Sequence, residues 1–538
     1  MANGRRIIAG TAIGCIVLRI AAATPVTVTV GDVTALTNKI ATVASGSTIL
    51  LEKGVYDISD CRGYLMGPAS NCCISIRQNQ KLTLAGVPGT IRGDVIITAP
   101  RADRRMIDFN KGTLACTNIT FAVASEGAIN CHGDGTEKLY FGNCIFSNLT
   151  ANTGAAVKRY YSTASTLPVN EFSNCLFADC HATNGGCGAH NFRNGNAYDC
   201  VYSNCTSTAA GGATVAGNYV RCRFYDCSTT TWETDKGGGA IGVEYDNHIG
   251  FCTDCEFVGC ATLGGKNPTG SGSGHGAAIQ KATALTNCVF RNNLALWNEI
   301  IGSAGEIVDC RFVDNVSTNK IFGSANLIAN SVFFGNTTAD SSLSSSPGTV
   351  VNTLVASNYC GNAQNEQGVF TSGTFVNCTF IGNRCKSGKT NDSIIGSGST
   401  AVNCLFYRNK VRDKTWQDMA MRFSDDSLSS PLSPRMTNCV WTAEARKNDT
   451  HTEAAYARTV GCQLLPDLKL NVRGLSDTAP FYEMPHVEFI RSGGLAAGDI
   501  RMTIGERDLA GNRRFAENGT VSIGCYQHSP THLKITLR

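Results

Sequence analysis

The chain has 538 residues and a formal net charge of +4, from 46 basic and 42 acidic side chains that make up only 16% of the sequence. This even balance, without any run of Lys and Arg, excludes a general nucleic-acid-binding surface. The 57 glycines and only 13 prolines are typical of a long chain with many tight corners.

The N-terminus has the pattern of an export signal. Arg5-Arg6 precedes a mostly apolar stretch over 7–23, and Ala21-Ala22-Ala23 offers small residues for cleavage. A signal peptide is therefore predicted over 1–24, with a buried N-terminal strand as the alternative. No later segment has the roughly 18 consecutive apolar residues of a membrane helix. We expect a mature chain without a transmembrane segment that is secreted or held at the cell surface, in association with an outer membrane.

Residues 25–60 are predicted to form an N-terminal cap and a first coil. An alternating strand over 26–30 is followed by Asp32, a good N-cap. The helix that follows carries apolar residues on one face, namely Val33, Leu36, Ile40 and Val43. Such a helix can cover the open end of a sheet.

A four-residue pattern then recurs down the chain: a polar residue, a Cys or other small residue, any residue, and an aromatic. It runs from Asn118-Ile119-Thr120-Phe121 to Asn438-Cys439-Val440-Trp441. The spacing is 22 residues from Cys200 to Cys222 and again from Cys288 to Cys310. A repeat of this length marks a solenoid, and the inward alternation of Cys and aromatic has the period of a strand. The framework of leucine-rich repeats is missing. The predicted fold is all-β: a single-stranded right-handed parallel β-helix, a pectate-lyase-like solenoid, with repeats over 61–445 and an N-terminal capping helix.

The cysteines occupy repeat positions instead of forming a disulfide or metal framework. Ten hold the same inward position, at 144, 175, 200, 222, 255, 288, 310, 378, 404 and 439. A second position, five residues later, is Cys in four coils and Asn in the next six, from Asn293 to Asn409. Stacked Cys should act as a small apolar core residue with a free thiol, and stacked Asn should hydrogen-bond along the axis. Only Cys252 and Cys255 have CxxC spacing, so neither a metal site nor a cofactor is predicted.

Two family resemblances rest on these motifs. The alternation of Gly-Gly-Ala-Ile with Cys-x-Phe-x-x-Asn, over about 118–441, resembles the right-handed β-helix repeats of bacterial polymorphic outer-membrane proteins. The segments 508–513 and 519–526 resemble the choice-of-anchor Q module that closes bacterial secreted β-helix proteins. Ser522, Cys525 and Gln527 depart from that module's usual residues. The resemblance implies a C-terminal β module over 446–538 associated with a surface.

Catalysis has little support in the sequence. Glycoside hydrolysis requires two carboxylates facing one cleft, and the adjacent Asp425-Asp426 pair lies in a Ser-rich segment. The Gly274-His275-Gly276 motif is similar to one in polygalacturonase-like hydrolases, whose other elements do not occur here. No residue is predicted to be catalytic.

Binding is better supported, at coils with insertions. The coils beginning at Cys144, Cys222 and Cys255 measure 31, 33 and 33 residues, and solenoid insertions often form the binding face. The candidate ligand-binding residues are Tyr160, Tyr161, Trp232, Glu233, Asp235, Tyr245, Asp246 and His275. Ordinary solvated loops are the alternative. The predicted function is a monomeric, non-catalytic, adhesin-like scaffold that binds extracellular polysaccharide, host or cell-surface glycans, or other macromolecules. A divergent polysaccharide lyase or glycoside hydrolase is the rival.

Overall fold

The computed structural model describes part of the chain, and all structural statements below concern that part. The described residues are 24–63, 72–131, 137–159, 170–191, 195–231, 237–243, 250–264, 276–361, 368–386, 394–396, 399–411, 436–441, 459–460, 462–464, 509 and 524–525. The predicted signal peptide, apart from residue 24, and most of the predicted C-terminal module lie outside them.

The chain forms a right-handed parallel β-helix, as the repeat predicts. Every strand pair is parallel, and each strand pairs with the equivalent strand one coil later. Three faces can be followed. The first face lies before the repeated Asn-Cys corner, the second face follows it, and the third face carries the Gly-Ala-Ile segments.

The strands of the first face are Thr27–Val30, Ser47–Leu51, Gln80–Gly86, Gly112–Thr117, Lys138–Gly142, Asn170–Ser173, Gly195–Tyr198, Asn218–Val220, Phe251–Thr253, Ile279–Thr286, Ile301–Val308, Phe322–Ala329, Thr349–Val351, Thr374–Val376, Thr400–Val402, Met436–Thr437 and Thr459–Val460. Those of the second face are Gly54–Asp57, Val95–Ala99, Thr120–Ala124, Ile145–Ala151, Leu176–Ala182, Val201–Ser203, Arg223–Tyr225, Glu256–Val258, Val289–Arg291, Arg311–Val313, Val332–Phe334, Leu354–Ala356, Thr379–Ile381, Leu405–Tyr407, Val440–Trp441 and Gln463–Leu464.

From the coil at Val201 onward, a corner separates the second face from a further short strand. These strands are Thr206–Ser207, Ser228–Thr229, Ala261–Thr262, Leu294–Ala295, Val316–Ser317, Thr337–Thr338, Tyr359–Cys360, Arg384–Cys385 and Lys410–Val411. The third face comprises Cys72–Ile76, Arg105–Phe109, Ile129–Cys131, Val157–Arg159, Thr214–Val215 and Ile241–Gly242. It then merges into the long strands that begin at Ile279, Ile301 and Phe322.

One helix, α1 (Val33–Thr42), covers the N-terminal end of the solenoid as predicted. The Asp32 side chain accepts a hydrogen bond from the amide of Ala35 at 2.7 Å, which satisfies one of the unpaired amides of the first turn. Leu36 and Ile40 are buried against the first coils. Within the described ranges no helix is long and apolar enough to cross a membrane.

The polar residue that opens each repeat has a conformational role. In every repeat the residue before the ladder position has a φ between 49° and 57°, namely Asn118, Asn143, Asn174, Asp199, Arg221, Asp254, Asn287, Asp309, Asn330, Asn352, Asn377, Asn403 and Asn438. Asn and Asp tolerate this left-handed region better than other side-chain-bearing residues. The polar residue therefore bends the chain between the first and second faces.

The predicted asparagine ladder is confirmed. From Asn293 to Asn383 each amide nitrogen Nδ2 donates to the Oδ1 of the Asn one coil later at 2.9 Å. The same Nδ2 atoms, and that of Asn409, also donate to a backbone carbonyl of the preceding coil, at 2.8 to 3.0 Å. The backbone amides of these residues donate to the Oδ1 one coil later at 3.0 or 3.1 Å. The ladder thereby satisfies polar groups that are otherwise buried at the corner.

The cysteine ladders are more than apolar filling, which refines the sequence prediction. The thiol of Cys222 lies 3.3 and 3.5 Å from the carbonyls of Ala197 and Val220. Other ladder thiols, such as that of Cys255, lie against the two equivalent carbonyls, one in the preceding coil and one two residues earlier in the chain. The amides of Cys378 and Cys404 donate to the next sulfur along the stack at 3.4 Å. Ser331 replaces this sulfur with a hydroxyl that accepts from the Cys310 amide at 3.2 Å. Burial raises the pKa of the Cys288 thiol well above its usual range, which keeps it protonated and unreactive.

Aromatic rings fill the core between the ladders. Nine consecutive rings stack with centroids 4.6 to 5.1 Å apart and interplanar angles of 2° to 13°, namely Phe121, Phe146, Phe177, Tyr202, Phe224, Phe257, Phe290, Phe312 and Phe333. Val355 interrupts the stack, which resumes with Phe380 and Phe406 at 4.8 Å. The inward direction of the repeat's aromatic residue is thus confirmed.

A buried histidine lies beside this stack. His190 is 2% exposed, and its Nε2 and Nδ1 lie 2.8 and 3.1 Å from the hydroxyls of Tyr202 and Thr214. Its ring stacks on Phe172 with centroids 4.5 Å apart. Burial lowers the pKa of His190 to about 3. The histidine is therefore neutral in the folded chain at all ordinary pH values.

Acid should destabilise the fold through His190. Between about pH 6.5 and 3 the unfolded state binds a proton on this residue and the folded state does not, so stability falls as pH falls, by about 1.4 kcal/mol per pH unit. His190→Gln keeps hydrogen-bonding capacity and removes the proton, so its urea unfolding midpoint should depend less on pH in this window. If the urea unfolding midpoint of the wild type and that of His190→Gln change equally with pH in this window, the prediction is wrong.

Candidate functional site

The outer side of the first face carries a row of polar and aromatic side chains, which we call the aromatic row. Its members, from five consecutive coils, are Tyr140, Glu171, Asn196, Asn218 and Phe251. Strand pairing places Tyr140 beside Glu171, Glu171 beside Asn196, and Asn196 beside Asn218. The next pair, Tyr219 with Cys252, places Phe251 beside Asn218. With about 4.8 Å between parallel strands, the two aromatic ends of the row are about 19 Å apart.

The aromatic row is exposed at its ends and ordered between them. Tyr140 and Phe251 are 40% and 39% exposed, which is unusual for rings on strands whose alternate residues are fully buried. The Asn218 Nδ2 donates to the Asn196 Oδ1 at 3.0 Å, and the Phe251 amide donates to the Asn218 Oδ1 at 3.3 Å. Tyr198 projects from the same side two residues after Asn196 and is half-buried.

The inward neighbours of this row hold it in place. Phe141 and Phe172 stack in the core at 5.2 Å, and each directly follows a member of the row along its strand. A packed core fixes the register of the strands, so the outward side chains have fixed spacing. Rings at both ends with amides and a carboxylate between them can stack on sugar faces and hydrogen-bond to hydroxyls.

A second set of polar side chains, the polar row, lies on the third face. Ser75 pairs with Asp108, Asp108 with Asn130, and Asn130 with Lys158. The Asn130 Nδ2 donates to the Asp108 Oδ1 at 2.8 Å. Ser75, Asp108 and Asn130 are at least nine-tenths buried, and Lys158 is half-buried.

Charged side chains next to the polar row are held by internal contacts. The guanidinium of Arg105 donates to the carbonyls of Thr153, Gly154 and Ile129 at 2.6, 2.9 and 3.2 Å. Glu137 and Arg159 form a buried pair at 3.9 Å. Burial lowers the pKa of Arg159, and the charge of Glu137 partly opposes this. Among the described residues no group of three or more His, Cys, Asp and Glu side chains is placed to hold a metal ion.

All of the sequence-predicted binding residues lie outside the described residues. They are Tyr160, Tyr161, Trp232, Glu233, Asp235, Tyr245, Asp246 and His275. The residues that precede two of the insertions are described, and they are in contact. A Cβ on Gly264 would lie 1.9 Å from the carbonyl oxygen of Thr231, so the two backbones touch there. This backbone contact tests neither the predicted ligand binding nor the alternative of ordinary solvated loops.

Neither row is predicted from the sequence, although a regular offset marks the aromatic row. Each of its members stands four residues before the ladder cysteine of its coil, from Tyr140 and Cys144 to Phe251 and Cys255. Strict alternation counted back from the inward Cys would place these residues inward, and the positive-φ residue before the Cys, such as Asn143, reverses that direction. The members of the polar row have no constant offset from a ladder cysteine, because the coils that carry them differ in length.

Comparisons with known proteins are limited to distant structural likeness. No protein-family model matches the sequence, and neither does any curated protein sequence. The A-module of a mannuronan C-5 epimerase from Azotobacter vinelandii matches with a TM-score of 0.30 and 11% identity, covering 69% of this chain and 94% of that one. A mannuronic-acid-specific polysaccharide family 6 lyase from human gut microbiota matches with a TM-score of 0.29 and 12% identity, covering 82% and 92%. A family 6 alginate lyase matches with the same score and identity, covering 83% and 54%. The scores are low, so the fold assignment rests on the chain's own strand pairing.

Proposed function

We propose that the chain is an adhesin-like scaffold that binds polysaccharide along the aromatic row. The observation that carries this proposal is the exposure of Tyr140 and Phe251 at the two ends of an ordered polar strip. Large apolar side chains on a soluble surface are informative when they are arranged about polar groups that could fix a ligand's orientation. A linear ligand parallel to the solenoid axis would contact all five coils.

The charge of the row favours a neutral polysaccharide. Its polar members are one carboxylate, Glu171, and two amides, Asn196 and Asn218, with no cation among them. An acidic polymer would meet repulsion at Glu171 within the row, and the exposed Lys138, two residues before Tyr140, lies beside the row and not in it. We therefore expect weaker binding of uronate polymers than of neutral glucans or mannans.

The proposed location is the cell surface or the extracellular medium, in association with an outer membrane. Support comes from the export-signal pattern over 1–24 and from the likeness of 508–526 to a surface-association module. The likeness of the repeats to those of polymorphic outer-membrane proteins is part of the same proposal. Protease treatment of intact cells that produce the full chain tests it, and complete protection with retention in the cytosol would contradict it.

Loss of both rings should abolish most of the binding. A buried aromatic contact in an interface contributes more than about 1.4 kcal/mol in favourable cases, so Tyr140→Ala and Phe251→Ala should each weaken binding about tenfold. The double variant should lose about a hundredfold. Affinity electrophoresis in gels that contain neutral or acidic polysaccharides measures this directly.

Trp297→Ala provides the matched control, because this ring is 38% exposed and lies outside the row. It should bind as the wild type does. Equal retardation of the wild type and the double variant in every gel would overturn the assignment of the row. Preferential binding of acidic polymers would overturn the assignment of the ligand class.

Catalysis on polysaccharide is a second candidate, supported by the polar row. It brings a carboxylate, an amide and an amine from consecutive coils into register, at Asp108, Asn130 and Lys158. Asp108 and Asn130 are at least nine-tenths buried, so the half-buried Lys158 is the member that would meet a substrate, as the base of a lyase or the acid of a hydrolase. Release of unsaturated or reducing ends by the purified chain, lost at least a hundredfold in Lys158→Ala, would establish this function in place of passive binding.

A further inference from the structure

Three cysteines near the N-terminal cap lie outside both ladders. Cys61 follows the first coil, and Cys72 and Cys73 begin the first strand of the third face. The amide of Gly63 donates to the carbonyl of Cys72 at 3.1 Å, so the two chain segments run side by side. The Cys-x-aromatic repeat does not place these residues, although Cys73 is part of the hydrophobic core and Cys61 packs against it.

Cys61 and Cys73 border the same space. Both line a cavity of about 300 Å³ beneath helix α1, together with Ile40 of that helix. Burial raises the pKa of the Cys73 thiol to about 11, a shift that Arg104 opposes and the charge of Cys61 increases. Cys61 stands two residues before Gly63 and Cys73 directly follows Cys72, so the Gly63–Cys72 hydrogen bond brings the two cysteines close.

Cys72 differs from this pair in its surroundings. Its sulfur lies 3.0 Å from the Ser75 hydroxyl. Burial raises the pKa of the Cys72 thiol to about 12, and the nearby Asp108 carboxylate adds to this. Cys72 thus has a partner of its own in Ser75, a member of the polar row that also borders the cavity.

Accessibility separates Cys61 from the ladder thiols. Cys61 is half-buried, whereas the ladder thiols, such as Cys222 and Cys255, are fully buried and lie against two backbone carbonyls each. A soluble reagent can therefore reach Cys61 without unfolding the solenoid, and a reaction that begins there can reach Cys73 across the cavity.

We infer that Cys61 and Cys73 form a redox-active pair that closes as a disulfide beneath the capping helix. The oxidant is a low-molecular-weight disulfide, RSSR. The Cys61 thiolate attacks one sulfur of RSSR and expels RS⁻, giving a mixed disulfide. The Cys73 thiolate then attacks the Cys61 sulfur and expels the second RS⁻. Two protein thiols and RSSR become one protein disulfide and two RSH, with the two protein protons taken up by the released thiolates.

The bond would join the end of the first coil to the first strand of the third face. It closes a loop of 13 residues, from 61 to 73, and both cysteines border the cavity beneath helix α1. Constraining a loop lowers the entropy of the unfolded chain and so stabilises the folded one. The raised thiol pKa values make the reaction slow at neutral pH and faster as pH rises, because only thiolates attack.

Glutathione disulfide is the probe, used on the full folded chain at mildly alkaline pH. After alkylation of the remaining thiols and digestion without reductant, mass spectrometry should identify a peptide cross-linked between Cys61 and Cys73. The apparent Tm should rise by several degrees on oxidation and return on reduction. Ladder cysteines should be recovered in alkylated form.

Two variants test the assignment. Cys61→Ser should abolish both the cross-link and the rise in Tm, and Cys72→Ser should leave both unchanged. A glutathione adduct that persists on Cys61, a bridge that uses Cys72, or complete absence of reaction at alkaline pH would each overturn the inference. None of these readouts depends on glycan binding.

Discussion

Asn336→Ala should destabilise the solenoid by about 3 to 5 kcal/mol. Asn336 is fully buried in the middle of the asparagine ladder. Its Nδ2 donates to the carbonyl of Phe312 at 2.8 Å and to the Oδ1 of Asn358 at 2.9 Å, and its Oδ1 accepts from the side chain and the amide of Asn315 at 2.9 and 3.1 Å. Alanine removes all four bonds, leaves their buried partners without them, and opens a cavity.

Two comparisons identify the cause of that loss. Asn336→Cys places a residue that the same position holds in four earlier coils, at Cys180, Cys205, Cys227 and Cys260. Cysteine fills the space and can donate to a carbonyl, so Asn336→Cys should lose clearly less stability than Asn336→Ala. Asn152→Ala changes an exposed asparagine and should change the free energy of unfolding, measured in urea, by no more than about 0.5 kcal/mol. A loss below 1 kcal/mol for Asn336→Ala would show that the ladder is not a main source of stability.

The sequence predicts this fold well because each coil repeats the same physical requirements. The inward Cys and aromatic of the motif appear in the structure as two stacks along the axis, the aromatic one interrupted at Val355, and Asp32 begins the predicted helix. The turn conformation of the leading Asn or Asp was not predicted, although these are the residues that favour positive φ. Arg221 occupies the same conformation and is paired with Asp199 at 2.7 and 2.9 Å, which only the structure reveals.

The candidate site was harder to predict, because the core does not constrain outward residues. At the aromatic row the identities vary from Tyr140 through Glu171 to Phe251, so no repeated letter marks the position. The long insertions in some coils predict a binding site in the loops instead. For the polar row, the pairing of Asp108 with Asn130 and Lys158 depends on the register of coils with unequal lengths. Register of this kind is a property of the packed fold and is not visible in local pattern.

The third-face corner explains the repeated Gly-Gly-Ala-Ile element, and Gly239→Ala should be the most damaging glycine substitution tested. A Cβ on Gly239 would lie 2.0 Å from the carbonyl oxygen of Ala277, and 2.6 and 2.7 Å from the carbonyl oxygen and amide nitrogen of Ala261. All three atoms are backbone, so no side-chain rotation can relieve the overlap. The coils can accommodate a methyl group only by moving apart, which breaks parallel pairing on two faces. We expect a loss of at least about 4 kcal/mol.

Gly54→Ala is the matched control, because nothing lies within 4 Å of a Cβ at Gly54, the first residue of a strand of the second face. Alanine reduces the entropy of the unfolded chain, so this variant should be as stable as the wild type or more stable by up to about 1 kcal/mol. Urea unfolding gives both values, and hydrogen exchange at the Ala240 and Ala278 amides reports whether the coils separate locally. Protection unchanged at these amides in Gly239→Ala would mean that the coil backbones can move apart without losing their hydrogen bonds. In that case Gly238 and Gly239 would be needed for the turn conformation alone and not for the close approach of neighbouring coils.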